Sequence, residues 1–160
     1  MSTKYTHQWI KDRLPHRWPF LHVDRVTKVG SKSIEGYKNV SASDSVFLGH
    51  FSEISILPGV IIIEALAQLS GIFLLVGEEK AGDAEVEVEV DLSAKIGLLT
   101  SVRTFKFINI VQPGDQLLLK SILKGSNGDC YLFVVSAYVE NKEVAVGELQ
   151  LYLQNREAVI

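Results

Sequence analysis

The segment PGVIIIEALAQLSGIFLLV, residues 58–76, decides the fold. Pro58 is a residue favoured at the start of a helix, and residues 60–76 favour a helix that is apolar on nearly every side. Three polar side chains interrupt the apolar run: Glu64, Gln68 and Ser70. We therefore interpret the segment as a buried core helix, not a membrane span, which other elements must wrap and which Gly77 ends.

The rest of the chain is mostly strand-like, because β-branched and apolar runs alternate with turn residues. A short amphipathic helix is predicted at residues 5–14, before Pro15. The predicted strands are residues 20–29, 33–40, 85–90, 97–111, 117–124, 131–140 and 144–153. One long helix and these strands, linked mostly by hairpins, predict an α+β fold. In it, an antiparallel sheet curls around the helix.

Length and composition limit the possible functions. With 160 residues, the chain fits a single domain spanning residues 1–160. A net charge of −3 gives no reason to expect nucleic acid or a membrane as a partner. The lone Cys130 excludes an internal disulfide, and four scattered histidines predict no metal site. The N-terminus lacks a secretory signal pattern, so we expect a cytoplasmic protein.

Two residues capable of acid–base chemistry flank the start of the core helix. An unperturbed imidazole titrates near neutral pH, so His50 can accept a proton, although on residue type alone a structural histidine is the more plausible interpretation. Burying the carboxylate of Glu64 without a partner would cost several kcal/mol, roughly, so its position in an apolar helix needs a reason. The side chain of Glu64 either forms an ion pair with Arg or Lys, or is a neutral acid that donates a proton.

The residues around this pair also admit two interpretations. Gly59 and Val60 begin the helix, where backbone N–H groups have no intrahelical partner and suit a developing negative charge; a plain helix start explains them too. Gln68 lies one turn after Glu64, so the two side chains can touch. It either orients the acid or is a core amide bound to the backbone.

The chain resembles a known family in ordered blocks along nearly its whole length. The matching blocks are LPHRWPFL (14–21), VDRV (23–26), KNVS (38–41), GHF (49–51), PGV (58–60), EALAQ (64–68), KF (106–107), VQPGDQL (111–117) and VAVGEL (144–149). They resemble the (3R)-hydroxyacyl-acyl-carrier-protein dehydratases of bacterial fatty-acid synthesis, the FabZ type.

The resemblance implies a hot-dog fold and homodimers that pair their sheets edge to edge, in some members assembled into hexamers as trimers of dimers. It implies dehydration of a (3R)-3-hydroxyacyl thioester to the trans-2-enoyl product without a cofactor. The substrate would be carried on the phosphopantetheine of acyl carrier protein.

The family's residue roles map onto this chain directly. His50 of one subunit would take the C2 proton, the helix start at Gly59 and Val60 would stabilise the enolate-like charge, and Glu64 of the other subunit, oriented by Gln68, would release the C3 hydroxyl. The acyl chain would occupy a tunnel along the dimer seam. The side chains expected to line it are Phe51, Ile63, Leu66 and Phe107.

The chain also departs from the family pattern. Ser52, Glu53 and Ser55 replace a Pro-Gly pair and a further Pro in the loop after His50, and Arg103 and Ile110 replace an Asp and a Pro. Two alternatives therefore stay open: a hot-dog acyl thioesterase, and a catalytically impaired paralogue that only binds the carrier. We expect four residues of the scaffold blocks to be structural: His16, Arg17, Asp24 and Arg25.

Overall fold

The computed structural model describes residues 5–81 and 94–159. Within them, the helices are α1 (His7–Arg13) and α2 (Gly59–Ala81), and short 3₁₀ turns span Ser45–Leu48 and Arg156–Ala158. The strands are β1 (Arg25–Val29), β2 (Ser33–Asn39), β3 (Lys95–Phe107), β4 (Gln116–Asn127), β5 (Cys130–Val139) and β6 (Lys142–Asn155).

The strands form one antiparallel sheet in the order β1-β2-β4-β5-β6-β3. Tight turns join the consecutive strands β4–β5–β6. Gly128 (φ 58°) lies in the first turn, and Glu140 and Asn141 (φ 48° and 65°) form the second, a backbone geometry that matches the twist of a hairpin. The β3 strand is placed at one edge of the sheet and β1 at the other.

The sheet wraps around α2, which provides the centre of the core. Leu66, Leu69 and Ile72 of α2 are fully buried, as are Leu117, Phe133 and Leu149 of the sheet. The window Gly59–Val76 is long and apolar enough to cross a membrane, but 72% of it is buried inside the fold. The predicted α+β architecture, a curled antiparallel sheet around a long helix, is confirmed.

The boundaries of the first strand differ from the prediction. Residues 20–24 do not belong to β1, because the side chain of Gln68 binds the carbonyl of Phe20 and the N–H of His22 in place of a neighbouring strand. Alternate residues of β2 point into the core: Ile34, Gly36 and Lys38 are all buried.

Two further boundaries were also predicted wrongly. The α2 helix continues past Gly77 to Ala81, since one glycine costs a helix only about 1 kcal/mol and the Glu, Lys and Ala that follow are good helix formers. The β3 strand ends at Phe107, not at residue 111. The strand predicted at residues 85–90 lies outside the described residues.

Candidate active site

The backbone of the loop between the 3₁₀ turn and α2 holds His50. The N–H of His50 donates to the carbonyl of Val46 (3.2 Å), and its own carbonyl accepts from the N–H of Ile56 (3.2 Å). Its Nδ1 lies 2.7 Å from the carbonyl oxygen of Ile56. A carbonyl only accepts, so Nδ1 has to bear the proton of the neutral ring. The Nε2 atom then keeps the lone pair that a general base requires.

Hydrogen bonds hold the loop that follows His50, although this loop lacks the prolines of the family pattern. The N–H of Phe51 donates to the carbonyl of Ile54 (2.8 Å), closing the turn that contains Ser52 and Glu53. The N–H of Leu57 donates to the carbonyl of Val111 (2.8 Å), which ties the end of the loop to the segment after β3. Hydrogen bonds thus hold the loop where proline rings would restrict it.

Glu64 lies on the second turn of α2, and its side chain is 21% exposed. Its Oε1 accepts a hydrogen bond from Nε2 of Gln68 (2.9 Å). The Gln68 amide is itself fixed, because its Oε1 accepts from the N–H of His22 (2.8 Å) and its Nε2 also donates to the carbonyl of Phe20 (2.7 Å). The Gln68 side chain therefore does both things the sequence suggested: it contacts the acid, and it satisfies the backbone.

An unexpected neighbour of Glu64 is His16. Its Nε2 lies 3.4 Å from Oε1 of Glu64. Burial lowers the pKa of His16 below its ordinary value, the Glu64 carboxylate opposes this, and Arg17 adds to it. The lowered pKa favours the neutral imidazole, so the pair is a polar contact and not a full ion pair. Sequence analysis assigned His16 to the scaffold, and only its place in the LPHR block hinted at the site.

The Glu64 side chain faces a largely apolar cavity of about 280 Å³ between α2, β3 and β6. Leu75 of α2, Leu98 and Leu99 of β3, and Leu151 of β6 contribute to its walls. The four side chains predicted for the acyl tunnel do not line it in this single chain. Phe51 and Phe107 are half exposed, Ile63 packs against the core, and Leu66 is fully buried.

The start of α2 presents free donors. Among the described residues, the N–H groups of Gly59 and Val60 have no partner, and the first bond runs from Ile61 to the carbonyl of Pro58 (3.0 Å). The ring of Phe107 packs on Gly59 so closely that a Cβ at residue 59 would lie 2.7 Å from it. Glycine at this position lets the β3 aromatic ring lie directly beside the donors.

His50 does not line the Glu64 cavity within one chain. Around His50 and along the β3 edge, several large apolar side chains are half exposed or more: Leu48, Phe51, Ile54, Val60, Phe107, Ile108 and Ile110. Apolar exposure on this scale marks an interaction surface. Within one chain, His50 and Glu64 therefore do not share a cavity.

Comparisons with known proteins identify the family. The family model described as FabA-like domain matches residues 14–148. A 3-hydroxyacyl-[acyl-carrier-protein] dehydratase FabZ from Campylobacter lari is 36% identical over 148 residues, covering 92% of this chain and 96% of the relative. The FabZ dehydratase from a Sulfurovum species is 40% identical over 148 residues, covering 92% and 95%.

Solved structures agree on the fold. The dehydratase heterocomplex ApeI:P from Xenorhabdus doucetiae superposes with a TM-score of 0.72 at 19% identity, covering 94% of this chain and 93% of that one. A hot-dog-like protein from Thermanaerovibrio acidaminovorans gives a TM-score of 0.58 at 14% identity, covering 79% and 84%. At such low identities the similarity establishes the hot-dog fold alone.

Proposed function

Because the chain belongs to the FabA-like family and, within it, to the FabZ dehydratases, we propose that His50 and Glu64 perform its dehydration at a site shared by two copies. The protein is a hydro-lyase of fatty-acid biosynthesis that converts a 3-hydroxyacyl thioester to its enoyl product. One observation supports the assignment most strongly: Gln68 fixes the carboxylate of Glu64 at the wall of an apolar cavity.

His50 is the base of the proposed reaction. Because Nδ1 is bound to the carbonyl of Ile56, Nε2 is the atom that removes the C2 proton. The same bond fixes the ring plane and stabilises the imidazolium that forms, since the carbonyl dipole points at the newly cationic ring. As the C2 proton leaves, charge builds on the thioester oxygen, and the N–H groups of Gly59 and Val60 are placed to receive it.

Glu64 is the acid. Its Oε1 is occupied by Gln68 and His16, whereas its Oε2 has no partner among the described residues. We assign proton delivery to Oε2, which protonates the C3 hydroxyl as it leaves as water. Glu64 gives its proton to the leaving water and ends as a carboxylate, whereas His50 keeps the C2 proton. Transfer of one proton from His50 to Glu64 then restores both groups to their starting states.

The exposed apolar face suits a second copy of this chain. Sheets paired along β3 would bury the half-exposed residues there and bring His50 of one copy toward Glu64 of the other. We propose a homodimer as the smallest active unit, assembled further in the hexameric arrangement of the family. The substrate arrives on the phosphopantetheine of acyl carrier protein, no cofactor takes part, and the enzyme works in the cytoplasm.

The acyl chain occupies the apolar cavity beside Glu64. Leu75, Leu98 and Leu99 form its walls in one copy, and we place Phe51 and Phe107 at its mouth, where the dimer would cover them. Ile63 and Leu66 support these walls from the core side.

A direct assay separates this function from its alternatives. The purified protein is incubated with 3-hydroxyacyl thioesters of several chain lengths, while enoyl absorbance and free thiol are both recorded. Enoyl product without thiol supports the dehydratase, thiol release indicates a thioesterase, and carrier binding without turnover indicates an impaired paralogue. His50→Ala and Glu64→Gln should each abolish turnover. The matched controls His7→Gln and Glu35→Gln, on α1 and β2, should retain it.

A further inference from the structure

Lys38 carries a buried charge that the proposed dehydration does not use. It lies on β2 at a position that faces the core, in line with Ile34 and Gly36, and only 7% of the residue is exposed. Lysine is almost never buried unless its ammonium group has a partner. The position of Lys38 therefore has to be explained by what its Nζ atom binds.

The partner of Lys38 is Asp44. Its Oδ2 lies 3.1 Å from Nζ of Lys38, and the lysine and aspartate side chains are 8% and 27% exposed. Burial, and then Lys38, lower the pKa of His22 whereas Asp44 raises it, so the ring of His22 lies close to the pair. Neither nitrogen of that ring has a hydrogen-bond partner among the described residues. The carboxylate of Asp44, not the ring of His22, therefore holds the ammonium group.

Asp44 also begins the 3₁₀ turn Ser45–Leu48 that precedes His50. An aspartate at the start of a helix usually accepts a hydrogen bond from a backbone N–H of the first turn. Among the described residues, the carboxylate of Asp44 makes no such bond. Its Oδ2 instead accepts from the N–H of Ser41 (3.3 Å) and faces Lys38. The side chain therefore fixes where the turn starts relative to β2.

Hydrogen bonds of the turn connect Asp44 to His50. The carbonyl of Asp44 accepts from the N–H of Phe47 (3.1 Å), and the carbonyl of Val46 accepts from the N–H of His50 (3.2 Å). Phe47 is buried in the core and anchors the turn at a second point. One anchor alone would let the turn rotate, whereas two fix its orientation and the direction in which the chain reaches His50.

We propose that Lys38 and Asp44 are positioning residues of the dehydration, whose buried ion pair ties the turn before His50 to β2. This inference rests on the proposed role of His50 as the base. The loop after His50 is tied through Leu57 to the carbonyl of Val111, so the ion pair supplies the attachment on the other side of the base. Displacing a reacting group by about 1 Å can cost about a hundredfold in rate.

Replacing Lys38 with methionine in the full-length protein tests the proposal. Methionine keeps the apolar stem without the charge, and the carboxylate of Asp44 stays partly exposed and bonded to Ser41, so the variant should fold. We expect kcat to fall by about tenfold to a hundredfold while KM changes little, because the pair does not bind the substrate. Asp44→Asn should have a similar effect, and the double variant should lose little more than either single one.

Lys120→Met is the matched control. Lys120 also pairs with a carboxylate, that of Glu35 (3.8 Å), but this pair joins β4 to β2 at an exposed place, with side chains 43% and 38% exposed. The variant should keep the wild-type kcat. Ser121→Ala removes a buried hydrogen bond to Ser70 (2.7 Å) and measures what a loss of stability alone does to kcat. Thermal unfolding verifies that each variant is folded at the assay temperature.

Hydrogen exchange followed by mass spectrometry gives a readout that does not depend on activity. The N–H groups of Phe47 and His50 are bonded within the turn, so their exchange rates report whether the turn is held. In Lys38→Met, the peptide covering residues 44–51 should exchange at least about tenfold faster, whereas a peptide from β5 should exchange as in the wild type.

Two results would overturn the inference: a loss of kcat in Lys38→Met no larger than in the two controls, or unchanged exchange of residues 44–51. Failure of the proposed function has a different signature. In that case the wild type forms no enoyl product, or His50→Ala keeps its activity, and the inference fails with it.

Discussion

Replacing His22 with leucine should protect the protein against unfolding in mild acid. In the native state, burial and the adjacent Lys38 lower the pKa of His22 from 6.5 to about 4, although Asp44 opposes the shift. In the unfolded chain the ring titrates at its ordinary value. As the pH falls below 6.5, His22 binds a proton in the unfolded chain but stays neutral in the native state. The unfolded state is therefore stabilised relative to the native state, and the free energy of unfolding falls.

The size of the effect follows from the two pKa values. Full protonation of the unfolded chain, below pH 4, would cost the native state about 3 kcal/mol, and at pH 5 the loss is about 2 kcal/mol. The His22→Leu variant has no imidazole at this position, so it does not lose this stability in acid. It also lacks an unpartnered buried polar group, so at pH 8 it should be at least as stable as the wild type.

Urea unfolding of both proteins at pH 8, 6.5 and 5 measures the difference. The stability advantage of His22→Leu should grow by about 2 kcal/mol between pH 8 and pH 5. His7→Gln, which removes an exposed histidine, is the control and should show no such growth. His16 also has a lowered pKa, so both proteins keep some acid sensitivity. An advantage that stays constant with pH would refute the reasoning.

The remaining predictions concern the proposed active site. Gly59→Ala puts a methyl group against the ring of Phe107, so kcat should fall at least about tenfold. Adding Phe107→Ala to this variant should restore part of the lost kcat. If it restores none, the clash with the ring does not cause the loss. Gln68→Leu removes the donor to Glu64 and leaves two backbone groups without hydrogen-bond partners. The free energy of unfolding measured in urea should fall by about 2–4 kcal/mol, and kcat should fall as well. His16→Leu removes the second contact to Glu64, and the pH dependence of kcat should change while KM changes little; an unaltered profile would make His16 purely structural.

The sequence predicted the fold well because its main signals are local. The apolar helix and the hairpin strands follow from patterns within short windows, and the structure has both. The errors lie where distant residues replace local partners. Residues 20–24 have a strand pattern, yet Gln68 binds the main chain of Phe20 and His22, and no local pattern shows that bond.

The site could be predicted only in part, for the same reason. Glu64 and Gln68 are one turn apart on one helix, so their contact follows from spacing. The contact of His16 with Glu64 depends on how the segment after α1 packs against α2. The cavity walls from Leu98 and Leu151 depend on how β3 and β6 pack against α2. Such contacts require the assembled sheet.

Mixing two inactive variants tests the central claim, a site shared between subunits, most directly. His50→Ala and Glu64→Gln are each purified as homodimers, shown to be inactive, and then mixed in equal amounts under conditions that exchange subunits. If His50 of one copy works with Glu64 of the other, half of the dimers become mixed, and each has one intact site. Activity should then return to about a quarter of the wild-type value. A mixture that exchanges subunits and stays inactive would contradict the account.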